Sequence, residues 1–587
     1  MNQMKLESLS NDLLLDLFEL LDVVNLLRAF SGLNARFNSL LYDVRSYRVD
    51  LRSISKEDFN IFCSTYLHLI SNRTIYVRLS DDEDTPFQCS QLQSVDLGFQ
   101  LFENLRSLTF NSVSSDHSID KHFFIKCCKS NHLTHLKFVG CKLFHIKIED
   151  FQDAIDHIWS LPKLSHLYWD FWFECGRHFR IPTPISTSLK CLTICKNDCY
   201  SYDFPCLLEK IPCLQKFSMS SDSYDDDDIP LSHKFIPSPL NLNITKLTLL
   251  SVRSLRVMTA LFQLLPSITR LKIEVYYITL DGHQWKEMIV NYLPQLKYFQ
   301  FKINFNFGLS INDSTNEEKV DQYLSTYRTP FWIEHRQWFI RCHWVVSRTY
   351  LDMFIYSLPY AFDCFHLSDD VSNYHTKSTC SSDMYYCYDS VRYIGYNPLL
   401  LNKESFSYMQ LINIEQLSLE FPIDQHFFSI ILNLENLLAL NVTITKENDQ
   451  WQLQTLLDRA SRLFSLSFSS SILAAMPPYP YTSSSMRRLD LECSDPLRRH
   501  HSYDKKQCME LIQSPLGIQC RILVIKVEHH VSILELIYGM ENLRTLHVSD
   551  DNDKRSNPND LVEVLKHYLP SNWTITRLGY GHIIIQS

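Results

Sequence analysis

The sequence predicts an α/β fold: a short helical module, then a long array of strand–loop–helix repeats. The strands of that array should run parallel on its concave side, with helices on the convex side. Three observations predict this. Leucines crowd the chain at helical spacing over about residues 5–45. From residue 105 a six-residue signature recurs: apolar, two variable residues, apolar, one variable, apolar. Prolines close many of the helical stretches between these signatures.

The 587 residues suffice for several ordinary domains or one long array. Hydrophobic residues at 45% and charged residues at 21% give a globular balance, which excludes a disordered or fibrous chain. Only 11 glycines argue against a Gly-rich nucleotide-binding protein. A net charge of −10 argues against a general nucleic-acid binder, which needs surplus Lys and Arg to displace counterions from phosphates. The start, Met-Asn-Gln-Met-Lys-Leu-Glu-Ser, lacks the basic segment and cleavage site of a secretory leader. No uncharged apolar run reaches the ~18 residues of a membrane span. The expectation is a cytoplasmic or nuclear protein with no membrane partner. In that reducing setting the 18 cysteines read mostly as buried small hydrophobes, Cys127, Cys128, Cys191 and Cys342 among them.

The module comes first. Leu9, Leu13, Leu14, Leu17, Phe18, Leu20, Leu21 and Val24 fill one helical stretch, with Ser10, Asn11 and Asp12 supplying cap and first-turn chemistry. Leu26, Phe30, Leu33, Phe37 and Leu40 follow at spacings of four and three, which predicts one amphipathic helix, widened by Leu27, Ala29 and Leu41. Asp22 or Asn25 can cap its start. About 40 residues cannot hide this much apolar surface. Either it packs on the repeats as a terminal cap, or one face docks on another protein.

The residues from Leu9 to Leu41 resemble an F-box. Leu9, Asp12, Leu13, Leu17, Phe18, Leu21, Leu26, Leu27, Arg28 and Phe37 fall on that family's positions. Ser10 stands where the family has proline and Phe37 where it has Trp; proline at a first helical turn only preorganises the backbone. The match covers less than a tenth of the chain. The resemblance implies a subunit that recruits targets to a cullin-based ubiquitin ligase through a Skp-type adaptor. Leu9, Ser10, Leu13, Leu17, Leu21, Leu26 and Leu27 would face the adaptor, and no catalytic residue is implied.

The repeats follow. The signature stands at Leu105–Phe110, Leu133–Phe138, Leu164–Trp169, Leu189–Ile194, Leu214–Met219, Ile244–Leu249, Ile268–Ile273 and Leu296–Phe301. It returns at Phe362–Leu367, Ile414–Leu419, Leu437–Val442, Leu463–Phe468, Met486–Leu491, Leu543–Val548 and Ile575–Tyr580. Most steps are 23 to 32 residues, a repeat period whose units bury an apolar face only by stacking. Pro162, Pro212, Pro266, Pro294, Pro359 and Pro570 should each end a helix. The pattern resembles leucine-rich repeats of the cysteine-containing kind, best over Leu133–Leu143, with Cys141 at the Asn/Cys position; Asn197 and Asn304 share that offset. The expected organisation is residues 1–45 as the helical module, 46–100 as a linking or capping segment, and 101–587 as the solenoid. An aromatic insertion at about 310–348 should form a strand or hairpin. It is either a binding element or a cover for the sheet.

The third and fifth signature positions should point onto the exposed sheet face, because strand side chains alternate. In the N-terminal half these are His135, Lys137, His166, Tyr168, Lys216, Lys246, Arg270, Lys272 and Tyr298, without a carboxylate. Such a stripe favours an acidic or phosphorylated protein target. The run Asp225–Asp228 is a counterweight of opposite sign. The C-terminal half offers milder residues, Gln416, Ser418, Asn441, Ser465 and Ser467 among them. Enzyme motifs are absent: no Gly-rich phosphate loop and no Gly-x-Ser-x-Gly elbow. Cys191, Cys195 and Cys199 lack the second pair of a zinc site, and Asp225–Asp228 lacks the glycine and distal Glu of a calcium loop. No cofactor, metal or catalytic residue is expected.

Overall fold

The computed structural model describes residues 6–586 apart from 84, 86–87, 95–100, 114–124, 127–129, 144–147, 174–178, 196–202, 221–242, 309–312, 347–349, 366–373, 381–387, 397–405, 407–408, 425, 445–450, 471–479, 493–501, 551–557, 571–572 and 578–581. The Asp225–Asp228 run, Asn197 and Cys199 lie outside the described residues. The chain divides into two compact units, Met1–Ile278 with Gln284–Phe299, and Thr279–His283 with Gln300–Ser587.

The first unit opens with three helices, α1 (Asn11–Leu20), α2 (Val23–Phe30) and α3 (Ala35–Asp43). Each has a side-chain cap: Ser10 accepts from Leu13 N–H at 3.4 Å, Asp22 from Asn25 N–H at 2.9 Å and Asn34 from Phe37 N–H at 2.9 Å. The single helix expected from Leu26 to Leu40 is therefore two. Gly32 takes a left-handed φ of +80°, and Asn34 starts a new helix. Phe30 joins the three helices, 4.8 Å from Phe18 and 5.2 Å from Phe37 between ring centres.

Nine parallel strands follow in chain order: β1 (Tyr47–Asp50), β2 (Thr74–Ser80), β3 (Ser107–Asn111), β4 (His135–Leu143), β5 (His166–Phe173), β6 (Cys191–Ile194), β7 (Lys216–Ser220), β8 (Lys246–Val252) and β9 (Arg270–Tyr276). The segment 46–100, expected to link or cap, contributes β1 and β2. One hydrogen-bond device recurs: the two N–H groups at a strand's start donate to a single carbonyl of the strand before. Thr134 and His135 reach Arg106 O, Ser165 and His166 reach Thr134 O, and Lys190 and Cys191 reach Ser165 O, at 2.8–3.0 Å. The same pairing continues through Lys216, Lys246 and Arg270.

Helices cover one face of these strands. The helix Ile148–Trp159 buries Phe151, Ala154, Ile155, Ile158 and Trp159, an i, i+3, i+4, i+7, i+8 stripe. Trp159 and Phe151 meet Trp169 of β5 at 6.5 and 5.9 Å. Helices end just before Pro162, Pro212, Pro266, Pro294 and Pro570, as expected, but Pro359 follows a strand. Cys141 is buried, with its Sγ 3.6 Å from Phe110 O, and burial pushes the thiol up to about 12.

The second unit departs from the expected run of parallel strands. β10 (Tyr298–Gly308), β12 (Tyr350–Leu358), β11 (Phe339–Val346) and β14 (His375–Ser378) lie in that order and pair antiparallel. The region expected as an insertion thus supplies a hairpin, since β11 and β12 are too close in sequence for a parallel crossover. Its Trp332, Trp338 and Trp344 are buried. A separate run holds β13 (Cys364–Phe365), β15 (Tyr393–Tyr396), β16 (Gln416–Glu420), β17 (Ala439–Ile444), β18 (Ser465–Ser470), β19 (Arg488–Asp490), β20 (Ile522–Val527) and β21 (Thr545–Asp550), parallel throughout. The two-to-one device recurs here, Glu415 and Gln416 to Arg392 O and Leu438 and Ala439 to Glu415 O. β23 (His582–Gln586) and β22 (Thr574–Arg577) close the run antiparallel, where one more parallel strand was expected.

Candidate functional site

Two surfaces draw the residues singled out by sequence. The first is α1. Its Leu14 and Phe18 are buried, while Leu13 is 54% and Leu20 82% exposed. Leu17 is half-buried between them. Leu13, Leu17 and Leu20 sit at i, i+4 and i+7, so they form a second apolar stripe turned outward. Leu33, in the turn before α3, is 61% exposed.

Of the residues expected to face an adaptor, Leu9, Leu13, Leu17 and Leu21 are accessible in part or whole. Ser10 is spent as the α1 cap. Leu26 and Leu27 are corrected: both are 2% exposed, in the core of the module, and they cannot meet a partner. Leu20 was missed, because helical periodicity alone does not choose between two apolar stripes on one helix.

The module is clamped. Arg36 of α3 donates to Leu9 O at 2.6 Å and to Asn11 Oδ1 at 2.9 Å, fixing the start of α1. Arg73 donates to the carbonyls of Leu41 and Tyr42, fixing the end of α3. Arg28 pairs with Asp58 at 2.9 Å.

The second surface is the sheet face opposite the helices in the first unit. Register places its side chains in two rows. One runs Arg48, Tyr76, Ser107, His135, His166, Cys191, Lys216, Lys246, Arg270; the other runs Asp50, Arg78, Thr109, Lys137, Tyr168, Thr193, Ser218, Thr248, Lys272. His135, Lys137, His166, Lys216, Lys246, Arg270 and Lys272 are therefore brought onto one face. Lys216, Lys246 and Arg270 are exposed and directly adjacent. Arg270 lies over the Tyr298 ring at 4.5 Å. His135 and His166 stack at 4.2 Å, their Nδ1 atoms 2.9 Å from the hydroxyls of Thr134 and Ser165. Burial first, and then Lys137, hold His135 below the usual histidine value; burial and then His135, Lys216, Lys137 and Lys190 do the same to His166.

Sequence reasoning missed Arg48, Arg78 and Arg106. They line a groove of about 570 Å³ with Tyr76, His135, Lys137 and Tyr168. Arg48 and Arg78 stand ahead of the array traced from residue 105, although Val44–Val49 already fits the signature, and Arg106 holds the second position of Leu105–Phe110 rather than the third or fifth expected to be exposed. In the second unit the matching rows read Gln416, Ala439, Ser465 and Arg488, and Ser418, Asn441, Ser467 and Asp490. Arg488 and Asp490 pair with each other at 3.2 Å.

Among the described residues no three His, Cys, Asp or Glu side chains gather to hold a metal. No helix among them is long and apolar enough to cross a membrane.

The fold is mixed α/β, with long parallel-strand sheets of the kind built by leucine-rich-repeat-like units. No family model and no curated protein matches the chain. Matching solved structures include the crystal structure of a TLR13–ssRNA13 complex, at 13% identity and a TM-score of 0.23, over 82% of this chain and 51% of that one. The chain thus spans about half the length of that protein, and so slight a likeness leaves the fold resting on strand order and register.

Proposed function

We propose that the chain is the substrate-recognition subunit of a cullin-based, F-box-type ubiquitin ligase. The N-terminal helices take the Skp-type adaptor, and the sheet face takes a protein target. The subunit performs no chemistry itself, uses no cofactor, and works in the cytoplasm or nucleus without a nucleic-acid or membrane partner. The observation that carries this reading is the outward stripe of Leu13, Leu17 and Leu20. A surface helix needs one apolar face for its own core. A second one is a cost unless a partner covers it, and covering each leucine contributes about 1.5–3 kcal/mol.

One observation favours a second reading, a repeat scaffold with no ubiquitin role. Leu26 and Leu27 are sealed in the module, and Arg73 ties α3 to the segment leading into β2, as a terminal cap requires. Co-expression with a Skp-type adaptor separates the two. The full chain should carry the adaptor through purification, and Leu17→Asp should lose it. Absence of adaptor from the wild-type preparation would favour the scaffold.

A further inference from the structure

We infer that the groove over β1–β4 in the first unit binds a phosphorylated side chain on a segment of the target protein. This rests on the reading of the sheet as the target-binding face. It adds the site and selects the phosphorylated class over the merely acidic one.

The argument begins with charge. Arg48, Arg78, Arg106 and Lys137 line one concavity. The carboxylate in the rows of Arg48, Arg78 and Lys137 is Asp50, and Arg52 holds it at 2.8 Å from outside the groove. Arg78 reaches Asp50 only at 3.8 Å and gives Nη2 to Asn111 at 3.1 Å. Its Nε is buried and has no partner. Arg106 and Lys137 are exposed and form no ion pair among the described residues. The groove therefore keeps positive charge and donors that the fold does not use. Arg48 is steadied over the Tyr76 ring at 5.0 Å, which leaves its guanidinium face stacked and its N–H edges free.

The geometry selects among anions. A carboxylate offers two oxygens and one charge, which a single guanidinium satisfies. A phosphate monoester offers three oxygens and nearly two charges, and it gains from several guanidinium forks at once. A groove of about 570 Å³ accommodates one such group and its neighbouring residues. A polynucleotide would need the cationic track to continue. In the adjoining strands the rows pass through His166 and Tyr168, then Cys191 and Thr193, before any further lysine. Stacked His135 and His166, held neutral, add hydrogen-bonding edges without adding charge.

The test uses the full-length protein on beads with three probes: a peptide pool with a fixed central phosphoserine and randomised flanks, its unphosphorylated twin, and a 12-nucleotide single-stranded RNA. The phosphorylated pool should be retained at least tenfold over its twin. The double variant Arg106→Gln/Lys137→Gln should lose that preference with unchanged thermal unfolding, and Lys216→Gln/Lys246→Gln, outside the groove, should keep it. Equal retention of both pools, or preference lost only in the Lys216/Lys246 variant, would overturn the inference. So would RNA binding that depends on Arg106 and Lys137. Adaptor retention, measured on the same beads, reports separately on the ligase reading.

Discussion

Strands β7–β9 and β16–β18 share the same apolar signature and the same pairing device, and they differ in what they expose. In the first run Lys216, Lys246 and Arg270 stand side by side; in the second the equivalent row holds Gln416, Ala439 and Ser465. Neighbouring strands lie about 4.8 Å apart, and like charges directly opposite one another are destabilising. The second run shows that the backbone needs no cations there. The difference teaches that apolar positions build the repeat, whereas the exposed rows are free to carry recognition. The first run accepts self-repulsion, offset at one end by the stacking of Arg270 on Tyr298.

The largest effects should come from what the runs share. Leu247→Ala in β8 and Leu466→Ala in β18 remove side chains that are 0% exposed, and each should cost about 2–5 kcal/mol in urea unfolding. A cost confined to one run would break the comparison. Next come the exposed rows. Replacing Lys216, Lys246, Arg270 and Lys272 with glutamate should abolish target capture while leaving unfolding in place. Capture that survives would remove the stripe from the account.

Acidification should discriminate by depth. His343 is fully buried, with Nε2 2.8 Å from Tyr356 Oη, and burial and Arg341 hold it well below the usual histidine value. Below about pH 6.5 the unfolded chain gains a proton that the folded one refuses, so stability falls as pH falls. His135 and His166 act in the same direction from half-buried sites. Unfolding midpoints should therefore drop between pH 7 and 5, and His343→Gln should flatten that drop more than His135→Gln. An equal slope in both variants would contradict the ranking. The smallest effect is the converse transplant. Lysine at positions 416, 439 and 465 should cost about 0.2–1 kcal/mol per adjacent pair, less in 1 M salt.

Much of this was legible in the sequence. The repeat signature placed most parallel strands because each carries Leu-x-x-Leu-x-Leu-like spacing, and alternation put Lys216, Lys246 and Arg270 on one face. Strand direction was not legible: the signature at β10 and β22 does not say how they pair, and β12, β14 and β23 lie outside the signatures traced in the sequence, so beyond the expected hairpin the β10, β12, β11 and β14 order and the closing β23 and β22 were missed. β1 fits the signature over Val44–Val49 but lies ahead of the array traced from residue 105, and β2 has Thr74 in place of the leading apolar residue, so Arg48 and Arg78 escaped with them. In the module the leucines were legible but their direction was not. Leu26 and Leu27 turn inward into the module core, and the end of the helix before Gly32, with its left-handed φ, separates α2 from α3.

Titration calorimetry of a Skp-type adaptor into the full-length chain tests the central claim most directly. Wild type should bind at micromolar concentration or tighter. Leu13→Asp/Leu20→Asp should weaken binding about hundredfold, a loss of ~2.7 kcal/mol, with an unchanged urea midpoint because both side chains already face water. Equal affinity for the two proteins, or no heat from wild type, would contradict the account.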